Sequence, residues 1–127
     1  MLAKAQQAQE RAYAPYSNFK VGACIVTKDK TYFSGCNVEN AVYGLTQCAE
    51  ANAVGTMIAQ GQAGIEEILI VGQGKLLCVP CGACRQLINE FGSEETKIHL
   101  CDDRGYQQTL TVGDLLPMAF GKINLES

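Results

Sequence analysis

The chain has 127 residues, of which 47% are hydrophobic and 18% are charged, and its net charge is −3. This length suits a single domain over residues 1–127 with a real hydrophobic core, and the composition excludes a disordered chain. Lysines and arginines do not cluster, which argues against a nucleic acid partner, and the short apolar runs exclude a membrane-spanning helix.

Helix and strand patterns alternate along the chain. Helical patterns occur at Leu2–Ala12, from Thr46 or Gln47 to Gln60, and at Cys81–Phe91. Strand-like runs occur at Val21–Thr27, Thr31–Cys36, Ile65–Val71, Lys97–Cys101 and Gln107–Val112, and a C-terminal tail follows from Gly113. This order predicts a mixed five-stranded α/β sheet with helices packed on it. Right-handed crossovers around the two central helices predict a parallel core.

The seven cysteines do not form the pattern of a disulfide framework. Four of them mostly lie in strand-like runs, where a reduced cysteine packs as a small hydrophobic residue. These four are Cys24, Cys36, Cys78 and Cys101. This use of cysteine indicates a reducing compartment and therefore a cytoplasmic protein. The single histidine, His99, lies in a strand-like run and is predicted to be structural.

The other three cysteines lie in two short motifs at predicted helix starts. Cys81 and Cys84 follow Pro80, whose restricted φ suits the entry to a helix. Free N–H groups and the macrodipole at a helix N-terminus favour anionic sulfur, so this pair could hold a soft metal ion. A C-x-x-C pair alone could equally be half of a structural zinc site, a redox pair, or two ligands of a catalytic metal.

The second motif, Cys48-Ala49-Glu50, favours the catalytic reading. Three protein ligands with one open position describe a catalytic zinc ion, and a glutamate beside that position could accept and deliver protons. Because Cys48 and Glu50 would be about 200° apart on an ideal helix, the metal must lie beyond the helix end, with Glu50 turned towards it.

These motifs resemble the zinc signature of nucleoside deaminases. Two further stretches, residues 12–23 and residues 35–41, narrow the resemblance to the small homotetrameric cytidine deaminases of pyrimidine salvage. The similarity extends through nearly the whole chain, including Leu115-Leu116-Pro117 and Phe120-Gly121. It implies a three-layer α/β/α fold and hydrolytic deamination of cytidine and 2′-deoxycytidine to uridine and 2′-deoxyuridine, with release of ammonia.

The resemblance also implies a role for each site residue. Cys48, Cys81 and Cys84 would hold one zinc ion per subunit, and Glu50 would shuttle protons. Asn37 and Glu39 would bind the ribose, chiefly its 3′-hydroxyl, and the backbone N–H of Ala49 would bind the pyrimidine O2. The remaining contacts are aromatic: Phe19 would line the base, with Tyr43 and Phe120 contributed by a neighbouring subunit of the tetramer.

One position departs from the family pattern. Many members with three thiolate ligands carry an arginine directly after the catalytic glutamate, where it neutralises the sulfur charge, but this chain has Ala51. The two helix N-termini, or backbone N–H groups aimed at the sulfurs, could offset that charge instead.

Two other functions remain open from the residues. One is a deaminase of the same fold acting on a modified nucleoside, a free base or a nucleic acid. The other is a zinc module without catalytic activity, or a thioredoxin-like redox protein using Cys81 and Cys84.

Overall fold

The computed structural model describes residues 1–105 and 107–126. Its helices are α1 (Leu2–Glu10), α2 (Ala49–Ala59), α3 (Gly82–Phe91) and the short α4 (Val112–Leu115). Its strands are β1 (Gly22–Val26), β2 (Tyr32–Cys36), β3 (Glu67–Val71), β4 (Lys97–Cys101) and β5 (Gln107–Thr111). Two 3-10 turns cover Tyr43–Leu45 and Lys122–Leu125.

The five strands form one mixed sheet in the order β2-β1-β3-β4-β5, which confirms the predicted sheet. The predicted parallel core is wrong in one respect. Strand β1 lies between β2 and β3 and runs antiparallel to both, so β3 and β4 are the only parallel neighbours among the described strands. The hairpin of β1 and β2 explains the first of these pairings, because a short turn forces its two strands to pair antiparallel.

Helices cover both faces of the sheet, as the resemblance implied. On one face, α2 and α3 pack on a core that includes Met57, Ile88 and Ile70. On the other face, α1 packs through Ala5 against a smaller core that includes Leu69. This arrangement is the three-layer α/β/α sandwich.

Close approach of helix and strand depends on glycine at two positions. A Cβ atom on Gly22 of β1 would lie 1.9 Å from the carbonyl oxygen of Ala5 in α1. A Cβ atom on Gly35 of β2 would lie 2.8 Å from the carbonyl oxygen of Ala49 in α2. Both helices therefore rest directly on backbone, and the second contact fixes the helix end that carries Cys48 and Glu50.

The C-terminal tail contains more regular structure than the sequence predicted. Thr111 caps α4 with a capping box, in which its hydroxyl accepts from the Asp114 N–H and the Asp114 carboxylate accepts from the Thr111 N–H. Such reciprocal caps stabilise even a single helical turn. No helix in residues 1–105 or 107–126 is long and apolar enough to cross a membrane.

Candidate active site

Three cysteine sulfurs converge from the N-termini of α2 and α3. Cys48 is the N-cap residue of α2, Cys81 is the N-cap residue of α3, and Cys84 lies in the first turn of α3. Their Sγ atoms all lie within 4.8 Å of one another. A zinc site made of these three cysteines requires that their sulfurs meet, and the packing of α2 against α3 brings them together.

The cluster fits a zinc ion. Zinc–sulfur bonds of about 2.3 Å place the sulfurs of a tetrahedral site about 3.8 Å apart, which this spacing accommodates. Three soft thiolates also favour zinc over hard cations such as Mg²⁺ or Ca²⁺, which prefer oxygen ligands. A redox pair would need only Cys81 and Cys84, so the third sulfur favours a metal centre.

Glu50 lies beside the sulfurs despite the angular problem posed by an ideal helix. Cys48 has φ −72° and ψ 156°, so it is extended and lies outside the helical turn that carries Glu50. Hydrogen bonding with the Cys84 thiol is one of the influences that lower the pKa of Glu50, which indicates that its carboxyl group lies near that sulfur. Glu50 is only 4% exposed. The predicted arrangement, with the glutamate turned towards the cluster, is therefore geometrically available.

Burial and mutual contact set the electrostatics of the site without metal. Burial raises the pKa of Glu50, against weaker opposing hydrogen bonds from its own backbone and from Cys84. A hydrogen bond with Cys84 lowers the pKa of Cys48 to about 7. The same contact, together with burial, raises the pKa of Cys84. Zinc uptake by these thiols would release protons, as expected for a thiolate site.

The sulfur charge is not offset by capping hydrogen bonds. Neither Cys48 nor Cys81 accepts a backbone N–H at its helix N-terminus through its side chain. Arg85, the nearest arginine in sequence, donates instead to the carbonyl oxygens of Pro80 and Leu115, at 2.9 Å and 3.1 Å. Of the candidates considered, the helix N-termini themselves remain, because their dipoles favour negative charge at both caps.

Phe19 is linked to the site through Gly72 and Cys78. A Cβ atom on Gly72 would lie 2.9 Å from Cζ of Phe19 and 2.9 Å from the Cβ atom of Cys78. Burial, followed by the negative charges of Glu50 and Cys48, raises the pKa of the Cys78 thiol to about 12. Cys78 is thus a neutral neighbour of the site, which the sequence did not distinguish from the other cysteines in strand-like runs.

Asn37 holds the segment that carries Phe19. Its Oδ1 accepts from the Val21 N–H at 2.8 Å, and its Nδ2 donates to the Phe19 carbonyl at 2.9 Å. The Asn37 side chain is buried. The amide thus orders this loop, and each end keeps capacity for one further hydrogen bond.

Glu39 anchors the same loop from its other side. One carboxylate oxygen accepts from the backbone N–H groups of Tyr16 and Ser17, at 2.9 Å and 3.0 Å, and the other accepts from the Ser17 hydroxyl. These hydrogen bonds, led by that of the hydroxyl, lower the pKa of Glu39. The carboxylate is therefore ionised and fixed in position.

The other predicted substrate contacts differ in exposure. Ala49 is buried, and as the first residue of α2 it has a backbone N–H without a partner inside the helix. Tyr43 and Phe120 are 84% and 58% exposed in the isolated chain.

Two side chains that position the site were not predicted from the sequence. Asn52 in α2 donates through Nδ2 to the carbonyl oxygen of Cys36 at 2.7 Å, which ties the helix to the end of β2. Arg85 ties the Pro80 peptide to α4. An asparagine or arginine after a cysteine motif does not by itself predict such a role, because its partners are backbone carbonyl groups that can be far away in the sequence.

A cluster of three cysteines with a buried glutamate beside it, on an α/β/α sandwich, is the arrangement of a zinc-dependent deaminase. Residues 1–100 match the model of the cytidine and deoxycytidylate deaminase zinc-binding region, and the chain belongs to this family.

Known proteins of this family resemble the chain over nearly its full length. The cytidine deaminase of Halalkalibacterium halodurans is 43% identical over 94% of this chain and 91% of its own. The crystal structure of cytidine deaminase from Burkholderia pseudomallei has a TM-score of 0.89 and 47% identity, covering 93% of this chain and 94% of that one. The cytidine deaminase structure from Mycobacterium tuberculosis has a TM-score of 0.82 and 39% identity, covering 94% and 93%.

Proposed function

We propose that this protein catalyses the zinc-dependent hydrolytic deamination of cytidine and 2′-deoxycytidine to uridine and 2′-deoxyuridine, with release of ammonia, in pyrimidine salvage. The observation that carries the proposal is the cluster of three cysteine sulfurs with the buried Glu50 near one of them. The cytidine deaminases that resemble the chain over nearly its whole length support the choice of substrate.

Cys48, Cys81 and Cys84 would hold one zinc ion per subunit. Bound there, zinc would act as a Lewis acid and lower the pKa of a water molecule at the fourth position. Glu50 takes a proton from the water that adds to C4 of the pyrimidine and delivers it to N3. It then takes the proton of the new C4 hydroxyl group and delivers it to the departing amino group, so that the C4–N bond breaks as the C4 carbonyl forms, and one water is consumed and one ammonia released. The raised pKa of Glu50 suits both proton transfers.

The chain offers partners for the rest of the nucleoside. The Ala49 N–H, free at the helix N-terminus, would donate to the pyrimidine O2. Asn37 and Glu39 would bind the 3′-hydroxyl with the hydrogen-bonding capacity that remains after they order the loop. A nucleoside lacking that hydroxyl would leave polar groups unpaired and bind poorly.

The active form would be a homotetramer whose sites are completed by neighbouring subunits. The exposure of Tyr43 and Phe120 supports this, because aromatic side chains that line a flat base are normally covered. Further apolar side chains near them in sequence, including Val42 and Ile123, are also exposed. We place the enzyme in the cytoplasm, a proposal supported by its seven free cysteines.

The test is to incubate the purified protein with cytidine, deoxycytidine, adenosine and guanine while following uridine formation and ammonia release. Glu50→Gln should retain zinc and lose turnover by a factor of about 10² to 10⁴. Glu95→Gln removes an exposed carboxylate and serves as the control, with turnover unchanged. Near-normal turnover in Glu50→Gln would refute the proton-shuttle role, and absence of bound zinc would refute the function.

The tetramer is tested separately by light scattering and by subunit mixing. Phe120→Ala and Glu50→Gln homotetramers should both be weakly active. Mixing them should restore activity, because some sites would combine Glu50 of one subunit with Phe120 of another. Failure of mixed tetramers to gain activity would contradict the shared site.

A further inference from the structure

The chain segment 115–122, called the C-terminal strap below, is fastened along the outer side of α3. Gln86 Nε2 donates to the carbonyl oxygen of Phe120 at 2.7 Å. Four residues further along α3, Glu90 Oε2 lies 3.4 Å from Nζ of Lys122. The strap therefore follows the same helix whose N-terminus carries two of the three clustered sulfurs.

Arg85 connects the start of the strap to the peptide that precedes Cys81. Its Nε donates to the carbonyl oxygen of Pro80 at 2.9 Å, and its Nη1 donates to the carbonyl oxygen of Leu115 at 3.1 Å. Its backbone N–H also donates to the carbonyl oxygen of Cys81 at 3.0 Å. This last bond is the ordinary α-helical one and does not depend on the side chain, so the guanidinium group itself joins the carbonyl groups of Pro80 and Leu115.

These contacts act next to Cys81, the N-cap residue of α3 and one of the three clustered cysteines. Cys81 is exposed, has φ −67° and ψ 168°, and precedes the first helical residue of α3. The position of its sulfur depends on the orientation of the peptide between Pro80 and Cys81 as well as on the side-chain rotamer. The planar guanidinium group presents several N–H donors in a fixed geometry, so it can hold two carbonyl groups at a defined separation.

We propose that Arg85 is a positioning residue that couples the zinc ligand Cys81 to the C-terminal strap, so that zinc retention and strap docking depend on each other. The inference rests on the zinc site of the proposed function but not on its substrate. It also reaches Phe120, because the strap that carries this side chain begins at the carbonyl group held by Arg85.

The first test measures zinc release to a chromogenic chelator from the zinc-loaded protein. Arg85→Ala should release zinc about ten-fold faster than the wild type, as expected when a partner that orients a metal ligand is removed. Arg85→Lys should fall between them, because a single ammonium group can hold only one of the two carbonyl groups. Gln86→Ala loosens the strap at Phe120 but keeps both side-chain contacts of Arg85, so it should accelerate release less than Arg85→Ala does.

A release rate for Arg85→Ala equal to that of the wild type would overturn the proposal. So would equal acceleration in Gln86→Ala, because general loosening of the strap would then explain the effect without any role for the Pro80 carbonyl group.

The second test needs no variant and therefore does not depend on the folding of one. Hydrogen exchange is compared between the zinc-loaded and zinc-depleted wild type. Removal of zinc should accelerate exchange at the amide of Leu116, which donates to Val112, while the amide of Lys30 in the distant β1–β2 turn is unchanged. Identical exchange of the strap with and without zinc would overturn the coupling.

The two proposals fail in different ways. A zinc-loaded protein that does not deaminate cytidine refutes the function, and the release and exchange measurements still decide the role of Arg85. A protein that takes up no zinc refutes both.

Discussion

A Cβ atom placed on Gly35 of β2 would lie 2.4 Å from the backbone nitrogen of Ala53 in α2. Strand and helix are thus in direct backbone contact one turn after Cys48 and Glu50. This contact, with the hydrogen bond from Asn52 to the Cys36 carbonyl, sets the depth at which α2 presents its N-terminus to the cysteine cluster.

Gly35→Ala should therefore push α2 away from the sheet. We expect a loss of about 1–3 kcal/mol in the free energy of unfolding, as for other overpacked sites. Zinc affinity and turnover should fall with it. Denaturant titration and zinc analysis measure the two effects. Gly55→Ala, on the exposed side of α2 with nothing within 4 Å of its added methyl group, is the control and should not destabilise the protein. Equal stability of both variants would contradict the assigned contact.

Zinc should bind to one particular set of sulfurs. Cys84→Ser should abolish stoichiometric zinc binding and lower the melting temperature to that of the chelator-treated wild type. Cys36→Ser changes a cysteine outside the cluster and should retain one zinc ion per chain. At a zinc concentration about a thousand times the Kd, binding to the native state stabilises a protein by about 4 kcal/mol. Metal analysis and thermal unfolding measure both effects, and a Cys84→Ser protein with full zinc would exclude the cluster as the metal site.

Glu39 has an observed role in holding the loop and a proposed role in binding the ribose, and the two can be tested separately. If its carboxylate binds the 3′-hydroxyl, the wild type should prefer cytidine to 3′-deoxycytidine by about 10- to 100-fold, the strength of a hydrogen bond to a charged group. Glu39→Gln should reduce that preference. Ser17→Ala removes the hydroxyl that donates to Glu39 and accepts from the Phe19 N–H. The backbone N–H groups of Tyr16 and Ser17 still hold the carboxylate, so the variant should retain the preference. Steady-state kinetics with cytidine and 3′-deoxycytidine measures this preference. If Glu39→Gln showed the same preference as the wild type, the role of Glu39 would be limited to holding the loop.

Asp29 should contribute stability that depends on pH. Hydrogen bonds, first from the Thr27 hydroxyl and then from Gln62 and Thr31, lower its pKa from the ordinary 3.8 to about 2. Because the folded-state pKa lies below the unfolded one, this contribution is complete above about pH 4 and is lost as pH falls towards 2. Asp29→Asn should therefore be less stable than the wild type at pH 6, and the difference should shrink by pH 3. A difference independent of pH would show that the carboxylate charge is not what stabilises the turn.

Local sequence determined most of the secondary structure and the chemistry of the site. Strand β4 has the predicted limits, and both cysteine motifs occur at helix N-termini, because proline, caps and side-chain periodicity act within a few residues. The grouping of Cys48, Cys81 and Cys84 was also predicted from local spacing and from the family resemblance, and the structure brings these sulfurs together. Their role as zinc ligands and that of Glu50 as proton shuttle stay predictions. The roles of Phe19, Asn37, Glu39, Tyr43, Ala49 and Phe120 towards substrate stay predictions.

Only the tertiary structure decided how these parts meet. It inserted β1 antiparallel between β2 and β3, seated α2 on Gly35, and brought Cys48 to the pair on α3. It also showed that Asn37 and Glu39 order a loop through hydrogen bonds, and that the Arg85 side chain donates to two backbone carbonyl groups. The physical reason is that these contacts join residues far apart in the chain. Strand register and close packing set their geometry, whereas periodicity and propensity describe only neighbours in sequence.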